Sequence, residues 1–161
     1  MLSKKTITAL NAQVAAEFYS AYLYLGMSAW LAGEALPGAA RWMELQAKEE
    51  LEHGHKIMSY LLEREAPVKL GPIEAPPHKW KSALDVFERS YEHEKKVTGM
   101  INNLMATARS ENDYATEIFL QWFVTEQVEE ENAALENVRI LKMAEGNNKG
   151  LFMIDRQLGQ R

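Results

Sequence analysis

The chain has 161 residues, a net charge of −5 and no cysteine. That length suits one domain, expected to span 1–161, with a core large enough to fold unaided, and the missing cysteines exclude a disulfide framework and a thiolate metal site. The acidic balance disfavours nucleic acid and anionic membrane as partners. The longest uncharged run, Phe18 to Gly33, has 16 residues, short of the roughly 20 that a membrane-spanning helix needs. The start, Met1-Leu2-Ser3-Lys4-Lys5-Thr6, lacks an apolar h-region and a cleavage site. No signal peptide is expected, and the predicted location is the cytoplasm.

Helical periodicity fills the stretches between a few clusters of glycine and proline. The first predicted helix runs from about Lys4 to Ala32 and stops near Gly33. The second opens after Leu36-Pro37, where proline suits a first helical turn, and ends at about Glu65, before Ala66-Pro67. The third starts at Ser82, with Asp85 three residues on as an approximate capping box, and continues to about Ser110. The fourth starts around Asp113, a good N-cap, and continues to about Glu145. Gly146-Asn147-Asn148 breaks the chain before a short tail helix within about 148–158. No segment alternates as a strand would.

Two of the connections are short, which makes helices one and two antiparallel neighbours, and likewise three and four. The third connection, Ala66 to Lys81, has 16 residues and is rich in proline. Helices of about 28 residues are roughly 42 Å long, and an extended segment of that size reaches roughly 53 Å. It can therefore run the full length of the bundle. The predicted fold is all-α: a four-helix bundle with a long crossover between helices two and three and a short fifth C-terminal helix.

The seam of each long helix follows 3-4 spacing. The seams are Leu10, Val14, Glu17, Ala21, Tyr24, Ser28 and Leu31; Met43, Ala47, Glu50, Gly54, Ile57 and Leu61; Leu84, Phe87, Tyr91, Glu94, Thr98, Ile101 and Met105; and Leu120, Phe123, Gln127, Glu130, Ala134 and Leu141. Every seam carries one glutamate where an apolar residue is expected: Glu17, Glu50, Glu94 and Glu130. All four lie near their helix midpoints and should converge at one level. His53 joins them, because Glu50-x-x-His53 puts both side chains on one helix face. No lysine or arginine occupies any of these seam positions. One such glutamate is ordinarily a solvated helix face, but four at matching depth repel one another and cost several kcal/mol each to bury unpaired. A divalent cation relieves that cost. Oxygen-rich ligands with one nitrogen suit iron or manganese better than structural zinc.

At this point the sequence resembles the bacterial non-haem ferritins of the ferritin-like di-iron family. That pattern draws a glutamate from each of two helices and Glu-x-x-His from the others. The match is Glu17, Glu94 and Glu50-x-x-His53, while the fourth helix departs from it with Gln127-x-x-Glu130. This departure is similar to the ferritins rather than to bacterioferritins or rubrerythrins. Leu51 stands where bacterioferritins carry a haem-binding methionine, so no haem is expected. The tail Gly150-Leu151-Phe152-Met153-Ile154-Asp155-Arg156 resembles the start of a ferritin fifth helix.

The resemblance implies one iron on Glu17, Glu50 and His53 and a second on Glu50, Glu94 and Glu130, with Glu50 bridging. Gln127 would sit beside the pair. Tyr24, seven residues after Glu17 and on the same face, is similar to the family's site tyrosine. Glu49, Glu126 and Glu129 correspond to a third iron site of bacterial ferritins. The implied activity is that of an iron-storage ferroxidase. It would oxidise Fe(II) with dioxygen or hydrogen peroxide and deposit ferric mineral in a 24-subunit cage. The alternatives are a di-iron oxidase or peroxidase acting on a small substrate, or a DNA-protecting mini-ferritin. The in-bundle ligand set, tail helix and acidic balance weigh against the latter.

The remaining chemistry-bearing residues have plainer expectations. His55 faces away from His53, His78 lies in the crossover, and His93 is about 100° from Glu94, so all three are expected to be bystanders. Trp122 is expected to fill core space, and the scattered methionines to pack. Glu117 is either a channel residue or an exposed helix glutamate. The stripe Leu151, Ile154 and Leu158 needs support from outside a short helix, and neighbouring subunits are the expected support.

Overall fold

The computed structural model describes residues 1–161. It contains five helices and no strand: α1 Lys4–Gly33, α2 Pro37–Glu63, α3 Ala83–Ser110, α4 Tyr114–Met143 and α5 Asn148–Leu158. The long helices pair as α1 with α2 and α3 with α4, and α1 also packs on α3.

Side-chain caps define most helix starts. Ser3 accepts from the Thr6 N–H at 3.0 Å, Ser82 from Asp85 N–H at 3.1 Å, and Asp113 from Thr116 N–H at 3.1 Å. The Ser82 box is only half a box. The Asp85 carboxylate accepts at 3.0 Å from the N–H of Lys81, one residue before the cap. α2 begins with Pro37 and has no side-chain cap from its own N-cap residue, Leu36.

Three helices end through non-glycine residues in the left-handed region: Ala35 (φ 60°), Glu65 (φ 54°) and Asn112 (φ 55°). After each, the next N–H reaches back to a carbonyl, as Leu36 does to Leu31 at 3.1 Å and Ala66 to Leu61 at 2.9 Å. This is Schellman geometry. α1 ends at Gly33, where the sequence places its stop, with Glu34 as C-cap.

The crossover runs along α1. Asn11 donates to the Pro67 carbonyl at 3.0 Å and accepts from Lys69 N–H at 2.6 Å. Farther along, Pro76 lies against Gly26, and Trp80 meets Trp30 edge-on at 5.9 Å. Contacts from Asn11 to Trp30 span most of the helix, as the length argument requires.

The apolar interior is divided into two. One cluster joins Tyr24, Met27, Leu31, Met43, Phe87 and Leu141, and the other joins Leu10, Val14, Ile57, Ile101, Leu120 and Phe123. Between them lies a buried polar layer containing Gln13, Glu17, Gln46, Glu50, His53, Ser90, Glu94, Gln127 and Glu130. The seams of α2 and α4 are buried throughout. Those of α1 and α3 are wider than expected, because Leu23, Met27, Val86 and Val97 are buried while Ser28, Leu84, Tyr91 and Thr98 are half-buried. Two facing neighbours give these helices a broader stripe than a strict 3-4 seam.

The tail helix docks on its own subunit rather than waiting for another. Leu158 is buried as part of the first apolar cluster, with Leu151 and Ile154 packed against it, and α5 lies on α2 and α4. The Asp155 carboxylate accepts from the Ala39 N–H at 2.8 Å. Gly38 makes the approach possible, since a Cβ there would fall 1.7 Å from the Asp155 carbonyl oxygen. Phe152 and Met153 remain exposed.

Candidate metal centre

Each long helix delivers one glutamate to the polar layer, and all four are at least 94% buried. No lysine or arginine forms an ion pair with any of them; the only such neighbour is His53, whose Nδ1 lies 3.4 Å from Glu50 Oε2. Ligand atoms of Glu17, Glu50 and His53 fall within 4.8 Å of one another. Glu17 Oε1 accepts from Gln13 at 2.9 Å, but Glu17 Oε2 is buried with no hydrogen-bond partner. An orphaned carboxylate oxygen beside a second carboxylate and an imidazole is the donor geometry a hard cation fits.

Glu94 is held from two sides. The Tyr24 hydroxyl donates to Glu94 Oε1, and the Gln127 amide donates to Glu94 Oε2 at 3.2 Å and to Thr98 Oγ1 at 3.3 Å. Glu130 accepts from the Gln46 amide. Each seam glutamate therefore has a polar residue one turn earlier, at i−4: Gln13, Gln46, Ser90 and Glu126. Gln13 and Ser90 serve the layer directly, Ser90 by donating to the Tyr24 hydroxyl at 3.4 Å. Gln46 crosses from α2 to α4. Gln13, Gln46, Ser90 and Thr98 were not among the expected site residues, although the i−4 spacing marks three of them.

The electrostatics follow from burial and crowding. Burial, eased by the Gln13 hydrogen bond, pushes the Glu17 carboxyl up to about 7. Burial and the Glu94 charge push Glu130 up to about 8. Burial and then the Glu94, Glu17 and Glu130 charges hold Glu50 well above the usual carboxylate range. Glu94 is raised by burial, with Tyr24 and Gln127 pulling the other way. Burial, followed by the Glu94 and Glu50 charges, drives the Tyr24 phenol well above its ordinary value. His53 is pushed down to about 4, first by burial and then by Lys56, so near neutral pH the imidazole is a neutral donor to a metal.

The outer acidic residues are less separate from the centre than the sequence suggests. Ligand atoms of His53, Glu126 and Glu130 lie within 4.8 Å of one another, and His53 Nε2 is 3.9 Å from Glu126 Oε1. Burial and then the charges of Glu129 and Glu49 raise the Glu126 carboxyl. Glu49 is half-buried and Glu129 is exposed. A cleft of about 790 Å³, lined by Glu49, Glu52, His53, Lys56, Trp122 and Glu126 among others, opens from solvent beside these groups.

One of the remaining residues departs from expectation. Trp122 is not core filling: it is 38% exposed, lies edge-on to His53 at 5.3 Å and carries Lys56 Nζ 4.1 Å over its ring. His93 is in neither group of candidate ligands; its Nε2 is 2.7 Å from Ser20 Oγ and its ring stands edge-on to Tyr24 at 5.9 Å. His55 does lie outside the centre, against Phe18. Glu117 pairs with Arg109 at 2.8 Å. Leu51 is exposed on the outer face of α2.

Comparison with known proteins agrees with this arrangement across the whole chain. The family model described as a ferritin-like domain matches residues 7–144. A Haemophilus influenzae protein named "Probable bacterial non-heme ferritin-like protein" is 42% identical, covering 99% of this chain and 96% of its own. A "Bacterial non-heme ferritin" of Bacteroides fragilis is 41% identical over the full length of both. Among solved structures, an open-pore ferritin from Archaeoglobus fulgidus superposes with a TM-score of 0.99 at 44% identity, covering 100% of this chain and 99% of that one. A polar layer splitting a four-helix core, a crossover along α1 and a docked fifth helix thus occur in a chain that belongs to the ferritin family.

Proposed function

We propose that this protein stores iron and acts as a ferroxidase, oxidising Fe(II) to Fe(III) and depositing the ferric product inside a cage. The observation that carries the reading is four buried glutamates from four helices with no ion-paired lysine or arginine, one of them with an orphaned oxygen. Iron is the substrate and cargo. Glu17, Glu50 and His53 would take one Fe(II), and Glu50, Glu94 and Glu130 the second, with Glu50 bridging.

Carboxylates stabilise Fe(III) more than Fe(II), which favours the product charge state and lowers the barrier to electron loss. Each Fe(II) gives up one electron, and the pair reduces dioxygen to peroxide or peroxide to water. Tyr24 and Gln127 act through Glu94, fixing its two oxygens. Glu126 stands between the centre and the acidic cleft, and Glu49 and Glu129 complete a third position for iron on its way out. The cleft is lined mainly by polar residues, which suits a hydrated cation better than an organic substrate and weighs against an oxidase acting on one.

Assembly into a cage, which in ferritins has 24 subunits, is supported by apolar surface left open on one subunit. Tyr22, Leu25, Leu51 and Ile73 are 41–51% exposed along the α1–α2 face and the crossover, and Phe152 and Met153 on α5 are more so. Contiguous exposed apolar surface marks an interface. The location proposed is the cytoplasm; no helix is long and apolar enough to cross a membrane.

The deciding experiment is an anaerobic Fe(II) titration followed by air, with particle size measured before and after. About two Fe(II) per subunit should bind tightly and oxidise fast, the number a dinuclear centre takes. Glu50→Ala should abolish that fast phase while leaving the helices intact. Unchanged early oxidation in the variant would sink the bridging assignment.

A further inference from the structure

Beyond α5 the chain returns to the metal centre. Arg161 lays its guanidinium across α2, with one nitrogen 2.5 Å from Glu49 Oε2 and the other 2.8 Å from Gln46 Oε1. The guanidinium also stacks 4.7 Å from the Trp42 ring centroid. Gln46 is buried and passes its amide N–H to Glu130 on α4. One cation thus touches an acid of the outer group directly and an acid of the central group through a single amide. No other basic residue pairs with Glu49.

We infer that Arg161 is a built-in competitor for the outer cation position, holding Glu49 until a metal ion displaces it. The inference rests on the proposed role of the outer acidic group as a third position for iron. A carboxylate oxygen engaged by a guanidinium cannot at the same moment ligate an ion on that lone pair. A site whose competent state is only part-populated binds its ligand more weakly in proportion to that fraction. The pair is partly exposed, with side-chain accessibilities of 32% and 42%, so it is weak enough to be displaced. The central carboxylates have no such competitor. The centre therefore fills first and the outer position second. Arg161 is a positioning residue in this scheme.

The test is calorimetric titration of the iron-free assembled protein with Zn(II), which binds without oxidation. Wild type should take about two tight ions per subunit and one weaker ion. Arg161→Ala should leave the tight pair unchanged and bind the weaker ion about threefold to tenfold more tightly, the scale of a partly exposed ion pair with an aromatic contact. Arg161→Lys, which keeps the charge without the fork, should fall between the two. A weaker ion that is absent from both proteins, or that binds equally or less tightly to Arg161→Ala, overturns the role of Arg161. Loss of the tight pair from wild type itself, or its survival in Glu50→Ala, would instead overturn the reading of the centre.

Discussion

The Asp155 carboxylate of α5 accepts a hydrogen bond at 2.8 Å from the backbone N–H of Ala39 in the first turn of α2. α2 starts at Pro37 without a side-chain cap of its own, so a residue more than a hundred positions away supplies it. The carboxylate also meets the positive end of the helix dipole. Asp155→Ala should lower subunit stability by about 1–2 kcal/mol, the worth of a strong N-cap, and free α5. Thermal unfolding of wild type and variant measures it, and an unchanged midpoint would show that the contact adds nothing. Deletion from Gly150 onward should cost more, because Leu158 leaves the core as well.

Tyr24 is fully buried and donates to Glu94. Tyr24→Phe keeps the ring and removes one hydrogen bond to a carboxylate, a loss of about 1.5 kcal/mol or roughly tenfold in rate. The expected result is slower Fe(II) oxidation with unchanged Fe(II) stoichiometry. Anaerobic binding measured beside stopped-flow oxidation separates the two. An undiminished rate would leave Tyr24 as packing only.

The stability of the iron-free protein should fall as pH rises from about 6.5 to about 8. Folded Glu17 and Glu130 titrate at about 7 and about 8 against an ordinary 4.5, so the native state holds the extra protons across that span and loses stability as they leave. His53 and His93, pushed from 6.5 down to about 4, work in the opposite direction, but only between those two values. The decline is therefore unopposed by them above about 6.5. Scanning calorimetry should show it, and Glu130→Gln should flatten it. Bound Zn(II) should flatten it too, because coordinated carboxylates are already deprotonated. A profile that rises from 6.5 to 8 would mean that the buried glutamates do not retain their protons near neutral pH.

Ala35 holds a left-handed conformation, φ 60°, at the end of α1. A Cβ in that region costs roughly 1 kcal/mol, partly offset by the extra freedom glycine brings to the unfolded chain. Ala35→Gly should raise stability by about 0.5 kcal/mol. Chemical denaturation measures it, and a decrease would mean that the methyl group packs usefully.

The four glutamates and His53 were legible in the sequence because helical periodicity converts spacing into a common face, and a charged residue on an apolar seam is conspicuous. The same periodicity determined four long helices, and the lengths of the connections determined their pairing and the crossover, which are matters of chain geometry alone. Gln13, Gln46 and Ser90 were less visible, since a neutral polar residue one turn from a seam position is compatible with either water or the core. Trp122 departed from expectation for a related reason: its neighbour, His53, lies on another helix. Only the tertiary structure decided that Asp155 caps α2, that Glu126 reaches His53, and that Arg161 lies on Glu49. The contacts between helices, and from the tail back to α2, join residues from 73 to 116 positions apart. A local pattern reports which face of its own helix a residue occupies, but the partner across the gap depends on how the helices dock and where the tail returns.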